Sequence, residues 1–206
     1  MELNVGDIVA IRHYSTVNPF TTVILKIEDN FITIKLTKDF AMNSLFEGEP
    51  LVIGYSSENK VFLLSCDIET IDIVNSTAVL KPDNDETFVN LRRHERFPIS
   101  LYADVLTLDS RKKHVVIIKD LSQYGMLIYS KSDFQLNEFV EINVFTEKDV
   151  VFIKGSIMRK IEGPNYKKYG LMITYQNLKS INLIEGYLKR LKFSYEQQIR
   201  KMKTEF

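Results

Sequence analysis

Apolar and polar positions alternate through most of this chain, and the alternation gives way to a helical period only near the end. In the first 80 residues the runs DIVAIRHY, TTVILKI, FITIKL, PLVIGY, KVFLLSC and STAVL are rich in Val, Ile, Thr and aromatic residues. Such runs predict strands half-buried against a core. Breaks at Glu28-Asp29-Asn30 and Ser56-Ser57-Glu58-Asn59 read as hairpin turns. This half is expected to form a small all-β barrel or sandwich.

The pattern resumes with PISLYADVLTLD, HVVIIKD, GMLIYS, FVEINVFT, VVFIKGSIMRKI and KYGLMITY, separated by turn chemistry at 110–113, 122–125 and 162–165. Six strands at this spacing predict a closed or nearly closed antiparallel barrel. From 179 to 203 the apolar positions become Ile181, Ile184, Leu188, Leu191, Tyr195, Ile199 and Met202. Steps of three and four residues mark an amphipathic helix, with Gly186 its weak point. Its apolar seam suits packing on the barrel or pairing with a second copy, so monomer and homodimer both stay open. Between the two β-rich halves, residues 81–86 (KPDNDE) have no apolar period and read as a linker. The fold class expected is mainly β: two small antiparallel barrels in tandem, spanning 1–86 and 87–206, the second followed by a C-terminal helix.

Charge sharpens the division. The chain has 206 residues with 27 Lys+Arg and 27 Asp+Glu, yet residues 1–90 carry 6 against 14, a net of −8, and residues 91–206 carry 21 against 13, a net of +8. An anionic ligand is therefore expected on the second half. Cys66 is the single cysteine, which excludes an internal disulfide and fits a reducing, cytoplasmic setting. The N-terminus has no basic segment leading into an apolar core. No apolar run approaches the roughly 20 residues that span a bilayer. A soluble protein without membrane insertion is the expectation.

Catalytic motifs are absent: the sequence contains no G-x-x-x-x-G-K, G-x-G-x-x-G, H-E-x-x-H or G-x-S-x-G. His13, His94 and His114 have no metal-ligand spacing with one another or with Cys66, and each reads as a surface or β-edge residue. Ser122 stands two residues after Asp120, but spacing supplies no base. Neither an enzyme nor a metal site is expected.

The concentrated chemistry lies in LRRHERF at 91–97 and DLSQYG at 120–125. Arginine presents a planar fork that bridges phosphate oxygens, bonds the O6/N7 edge of guanine and stacks on bases. An ionised Asp120 accepts the N1 and N2 donors of guanine, and the Ser122 hydroxyl can donate to phosphate or base. Gly125 permits a positive φ or a close approach of backbone to ligand. If 98–109 and 114–120 form a hairpin, the start of one strand lies beside the end of the other. The two segments then meet at one end of it.

Together, Arg92-x-x-x-Arg96 before a barrel and Asp120-x-Ser122-x-x-Gly125 after its second strand resemble the PilZ domain, over about residues 91–193; the late strand around Lys168-Tyr169-Gly170 is also similar. The resemblance implies a six-stranded barrel, a terminal helix, and a cyclic di-GMP site made by these motifs, with no other cofactor. It implies that Arg92 and Arg96 grip guanine and phosphate, with Arg93 an additional contact, that Asp120 and Ser122 read the guanine, and that Gly125 holds the turn. Leu91 stands where many members carry a basic residue, which leaves open one bound ligand or an intercalated pair. Arg159, in a late strand, reads as an ordinary exposed residue, with reach into the site as the alternative. The first half, through Gly6-Asp7-Ile8-Val9 and Phe31-Ile32-Thr33-Ile34, resembles the N-terminal domain of YcgR-like flagellar-brake proteins. This implies a barrel without ligand motifs and a protein partner such as a flagellar motor component; regulation of polysaccharide synthesis or biofilm is the alternative output. A protein-interaction module that uses the motifs structurally is a further reading. Nucleic acid is not an expected partner, because no aromatics interleave the basic residues and the first half is acidic.

Overall fold

The computed structural model describes residues 3–16, 19–37, 45–57, 60–83, 96–108, 111–175 and 177–204. Arg92, Arg93 and His94, named above as candidates, and most of the expected linker lie outside these residues. By spatial contact the chain divides into two compact units: Met1–Val89 with Leu191–Phe206, and Asn90–Arg190. Each contains one closed six-stranded antiparallel barrel.

In the first unit the strands are β1 (Ile8–Arg12), β2 (Phe20–Glu28), β3 (Phe31–Lys35), β4 (Pro50–Ser57), β5 (Lys60–Asp72) and β6 (Thr77–Pro82), closing in the order β1-β2-β3-β6-β5-β4. Alternate residues point inward; Val9, Ile11, Ile34, Leu51, Ile53, Cys66 and Leu80 are all fully buried in this core. The β2–β3 turn is Asp29-Asn30, with φ of 48° and 67°. Two left-handed central residues match the twist of a tight hairpin, and Asp and Asn tolerate that region best after glycine. Two expectations change here. β5 continues to Asp72, past the run ending at Cys66, and Lys81 and Pro82 are not linker but pair with Asp67 and Cys66.

The second barrel comprises β7 (Phe97–Thr107), β8 (Lys113–Leu121), β9 (Gly125–Ser130), β10 (Phe139–Phe145), β11 (Val150–Ile161) and β12 (Lys167–Thr174), in the order β10-β11-β12-β9-β8-β7. Inside and outside are plain on β12. Tyr169, Leu171 and Ile173 are buried, whereas Lys168, Gly170 and Met172 face outward. Residues opposite one another share a face, so Met126, Ile128 and Ile118 also point inward.

Helix α1 (Leu178–Thr204) begins at Asn177, whose Oδ1 accepts the Ser180 backbone N–H at 2.9 Å. This is an N-cap bond. Ser180 Oγ also donates to the Phe152 carbonyl at 3.0 Å, tying the helix start to β11. Of the predicted seam, Ile184, Leu188, Leu191 and Tyr195 are buried within the chain. The Arg12 guanidinium lies 5.6 Å from the Tyr195 ring centroid. Among the described residues no helix is long and apolar enough to cross a membrane. His13 is not at the surface: it is fully buried, with Nε2 3.3 Å from Glu49 and Nδ1 2.7 Å from Ser15 Oγ. His114 is half-buried and bonds Ser132 Oγ at 2.7 Å.

Candidate functional site

The site is built on the β7–β8 hairpin and the turn that follows it. Pro98 lies opposite Asp120 and Phe97 opposite Leu121, so Arg96 enters the barrel beside the end of β8. A β-bulge then decides which way Asp120 faces. Ile118 pairs with Ile128, but Asp120 pairs with Leu127; two steps on β8 match one on β9. Were β8 and β9 paired residue for residue, Asp120 would oppose Met126 and point into the core, because a one-residue slip reverses every face. The bulge puts its carboxylate on the outer face, where a charge remains hydrated.

There Arg96 Nη1 donates to Asp120 Oδ1 at 2.9 Å and to Oδ2 at 3.3 Å. The side chains are 26% and 20% exposed, so the pair is partly screened and is worth about 1 kcal/mol. Ser122 is buried, and both its backbone N–H (2.8 Å) and its hydroxyl (3.1 Å) donate to the Gly125 carbonyl. In this structure the hydroxyl closes the turn. Gly125 does not adopt a positive φ; the left-handed glycines among the described residues are Gly6 and Gly48. Its requirement is space: a Cβ there would lie 3.2 Å from Arg96 Nη2, 3.2 Å from the Leu171 carbonyl oxygen and 3.7 Å from Ser122 Oγ.

Residues far away in sequence hold this turn. The Tyr175 hydroxyl donates to the Gln123 carbonyl, Gln123 Nε2 donates to Glu185 Oε1 on α1 at 2.8 Å, and the Ile173 N–H donates to the Tyr124 carbonyl at 2.9 Å. Burial, then the neighbouring Tyr124 and Glu185, raise the Tyr175 pKa well above the usual phenol range. The hydroxyl therefore keeps its proton and its bond. Separations of 52 and 62 residues give sequence spacing no means of finding these supports. Nearby, the fully buried Tyr129 ring has the ammonium groups of Lys168 and of the equally buried Lys119 at 4.6 Å and 5.2 Å from its centroid.

Arg96, Asp120, Ser122 and Gly125 are thus brought together. Among the described residues no group of His, Cys, Asp and Glu is arranged to hold a metal. What the geometry defines is a small closed barrel with an arginine–aspartate pair on its outer rim, packed against a glycine turn. Residues 90–190 match the family model of the PilZ domain; the second barrel is a PilZ domain, and the chain is a PilZ-domain protein. Among curated proteins none matches the chain. Solved structures similar to it include the Bacillus subtilis inhibitor of motility MotI/DgrA, at 13% identity, covering 93% of this chain and 98% of that one with a TM-score of 0.42. Escherichia coli YcgR in complex with c-di-GMP is similar at 14% identity, 96% and 88% coverage and a TM-score of 0.43. The K. pneumonia MrkH–c-di-GMP complex is similar at 13% identity, 93% and 89% coverage and a TM-score of 0.48.

Proposed function

We propose that this protein is a cytoplasmic cyclic di-GMP receptor that acts on a protein partner, with flagellar motility as the leading output. The observation that carries the reading is the convergence of Arg96, Asp120 and Gly125 at one rim of a PilZ domain. A guanine brings N1 and N2 donors that suit the Asp120 carboxylate. The phosphodiesters and the second guanine of the dinucleotide suit Arg96, with Arg92 and Arg93 in support. Ligand entry exchanges the Arg96–Asp120 pair for contacts to both residues. The pair is partly exposed, so the exchange gives up little energy.

Arg92, Arg93 and Arg96 belong in sequence to the stretch between the two β-rich halves. Ordering them on a nucleotide is the proposed route to reorienting the two domains. A ligand shifts such an equilibrium only by its differential affinity for the arrangements. A second reading has its own observation. Arg96 and Asp120 satisfy one another and the Ser122 hydroxyl is used within its turn, which suits an interaction module whose motifs are structural.

Isothermal titration of the full chain with cyclic di-GMP, with GTP and GMP as controls, separates the two. The receptor reading expects saturable binding to cyclic di-GMP that Arg96→Ala and Asp120→Ala each weaken by tenfold or more. No binding by the wild-type protein would leave the structural reading standing. Small-angle scattering tests the output, and a profile unchanged at ligand saturation would rule out reorientation.

A further inference from the structure

The outer face of the PilZ barrel carries four residues in register across four adjacent strands: Arg159 on β11, Gly170 on β12, Leu127 on β9 and Asp120 on β8. Arg159 owes its position to a second bulge. Ile157 pairs with Leu171, but Arg159 pairs with Gly170, so the extra residue turns Arg159 outward as the β8 bulge turns Asp120. Three interstrand steps set the ends of the row about 14 Å apart.

Gly170 leaves the floor of the row without a side chain, and the Arg159 side chain lies across it. Arg159 Cβ and Nε are 3.5 Å and 3.8 Å from where a Gly170 Cβ would stand. The residue is exposed, and among the described residues its side chain has no ion-pair or hydrogen-bond partner. An arginine laid low along a sheet gives up rotamer freedom. Here no acceptor of the barrel compensates it, and Leu127 between it and Asp120 offers an apolar bed for a flat ring.

We propose that Arg159 is a further ligand-binding residue: its guanidinium fork donates to the O6/N7 edge of the guanine whose N1 and N2 donors face Asp120. This rests on the reading of the barrel as a cyclic di-GMP receptor. Asp120 and Arg159 then hold one base by its N1/N2 and its O6/N7 edges, which favours guanine over adenine at both contacts.

The test is a chemical double-mutant cycle on the full chain. Cyclic di-GMP and its 7-deazaguanine analogue, in which N7 is replaced by C–H, are titrated into wild type, Arg159→Met and Arg159→Lys. Arg159→Met is expected to weaken cyclic di-GMP about tenfold or more. The analogue is expected to bind wild type more weakly by a similar factor but to cost Arg159→Met little further, since the contact it removes is already gone. Arg159→Lys keeps the charge without the fork and should resemble the Met variant. Thermal unfolding of both variants should match wild type, as the side chain is exposed. Wild-type affinity in Arg159→Met, or losses that multiply fully between variant and analogue, overturns the assignment while leaving the receptor reading in place. Failure of the wild-type protein to bind either compound overturns both.

Discussion

Replacing Gly125 by alanine puts the site's geometry to a quantitative test. Because Gly125 has an ordinary φ, the substitution carries no left-handed backbone penalty. Restricting the unfolded chain contributes about 0.4–1 kcal/mol in its favour. Against this stand two approaches of 3.2 Å, a few tenths of an ångström inside ordinary contact. The Leu171 carbonyl is fixed in the β12 ladder and cannot retreat, so strain of about 1 kcal/mol is expected there, at the low end of overpacking. The Arg96 guanidinium is the far end of a flexible side chain and can move. In doing so it leaves the 2.9 Å bond to Asp120. Stability should therefore fall by no more than about 1 kcal/mol in urea denaturation. Cyclic di-GMP affinity should fall about tenfold, the discrimination expected of one misplaced guanidinium contact. Gly125→Val adds two carbons in the same crowded place and should lose about 1–3 kcal/mol of stability as well. Gly125→Ala with wild-type stability and wild-type affinity would refute both the crowding argument and the coupling of Gly125 to Arg96.

Two further outcomes concern the scaffold. Burial, assisted by Lys112, lowers the His114 pKa from its ordinary 6.5. The unfolded chain then binds a proton, as pH falls through about 6.5, that the folded protein does not yet take up. Stability is thus full above that pH and declines below it, until the folded His114 also protonates. The urea midpoint should drop between pH 7.5 and 5.5, and His114→Gln should reduce the drop; an equal drop in the variant removes His114 as its source. Asn177→Ala deletes the cap on the Ser180 N–H and should cost about 1 kcal/mol, read as a lower denaturation midpoint that Asn177→Ser or Asn177→Asp largely restores.

The sequence carries the site wherever one turn separates its parts, and hides it wherever a bulge or several strands intervene. Twelve alternating runs and one change of period are enough for two barrels and a helix, because each strand here has an inward face that must be apolar. A single hairpin brings Arg96 to Asp120, so their meeting follows from the turn between β7 and β8. Strict alternation, however, directs both Asp120 and Arg159 inward. Only the extra residues between Ile118 and Asp120 and between Ile157 and Arg159 turn them outward, and a bulge with no glycine or proline leaves no mark in composition. β5 looks shorter in the sequence for a related reason: its own bulge between Ile68 and Thr70 breaks the alternation just past Cys66. The bulges of β8 and β11 that defeat a period-two reading are the same irregularities that place Asp120 and Arg159 on the barrel's exterior.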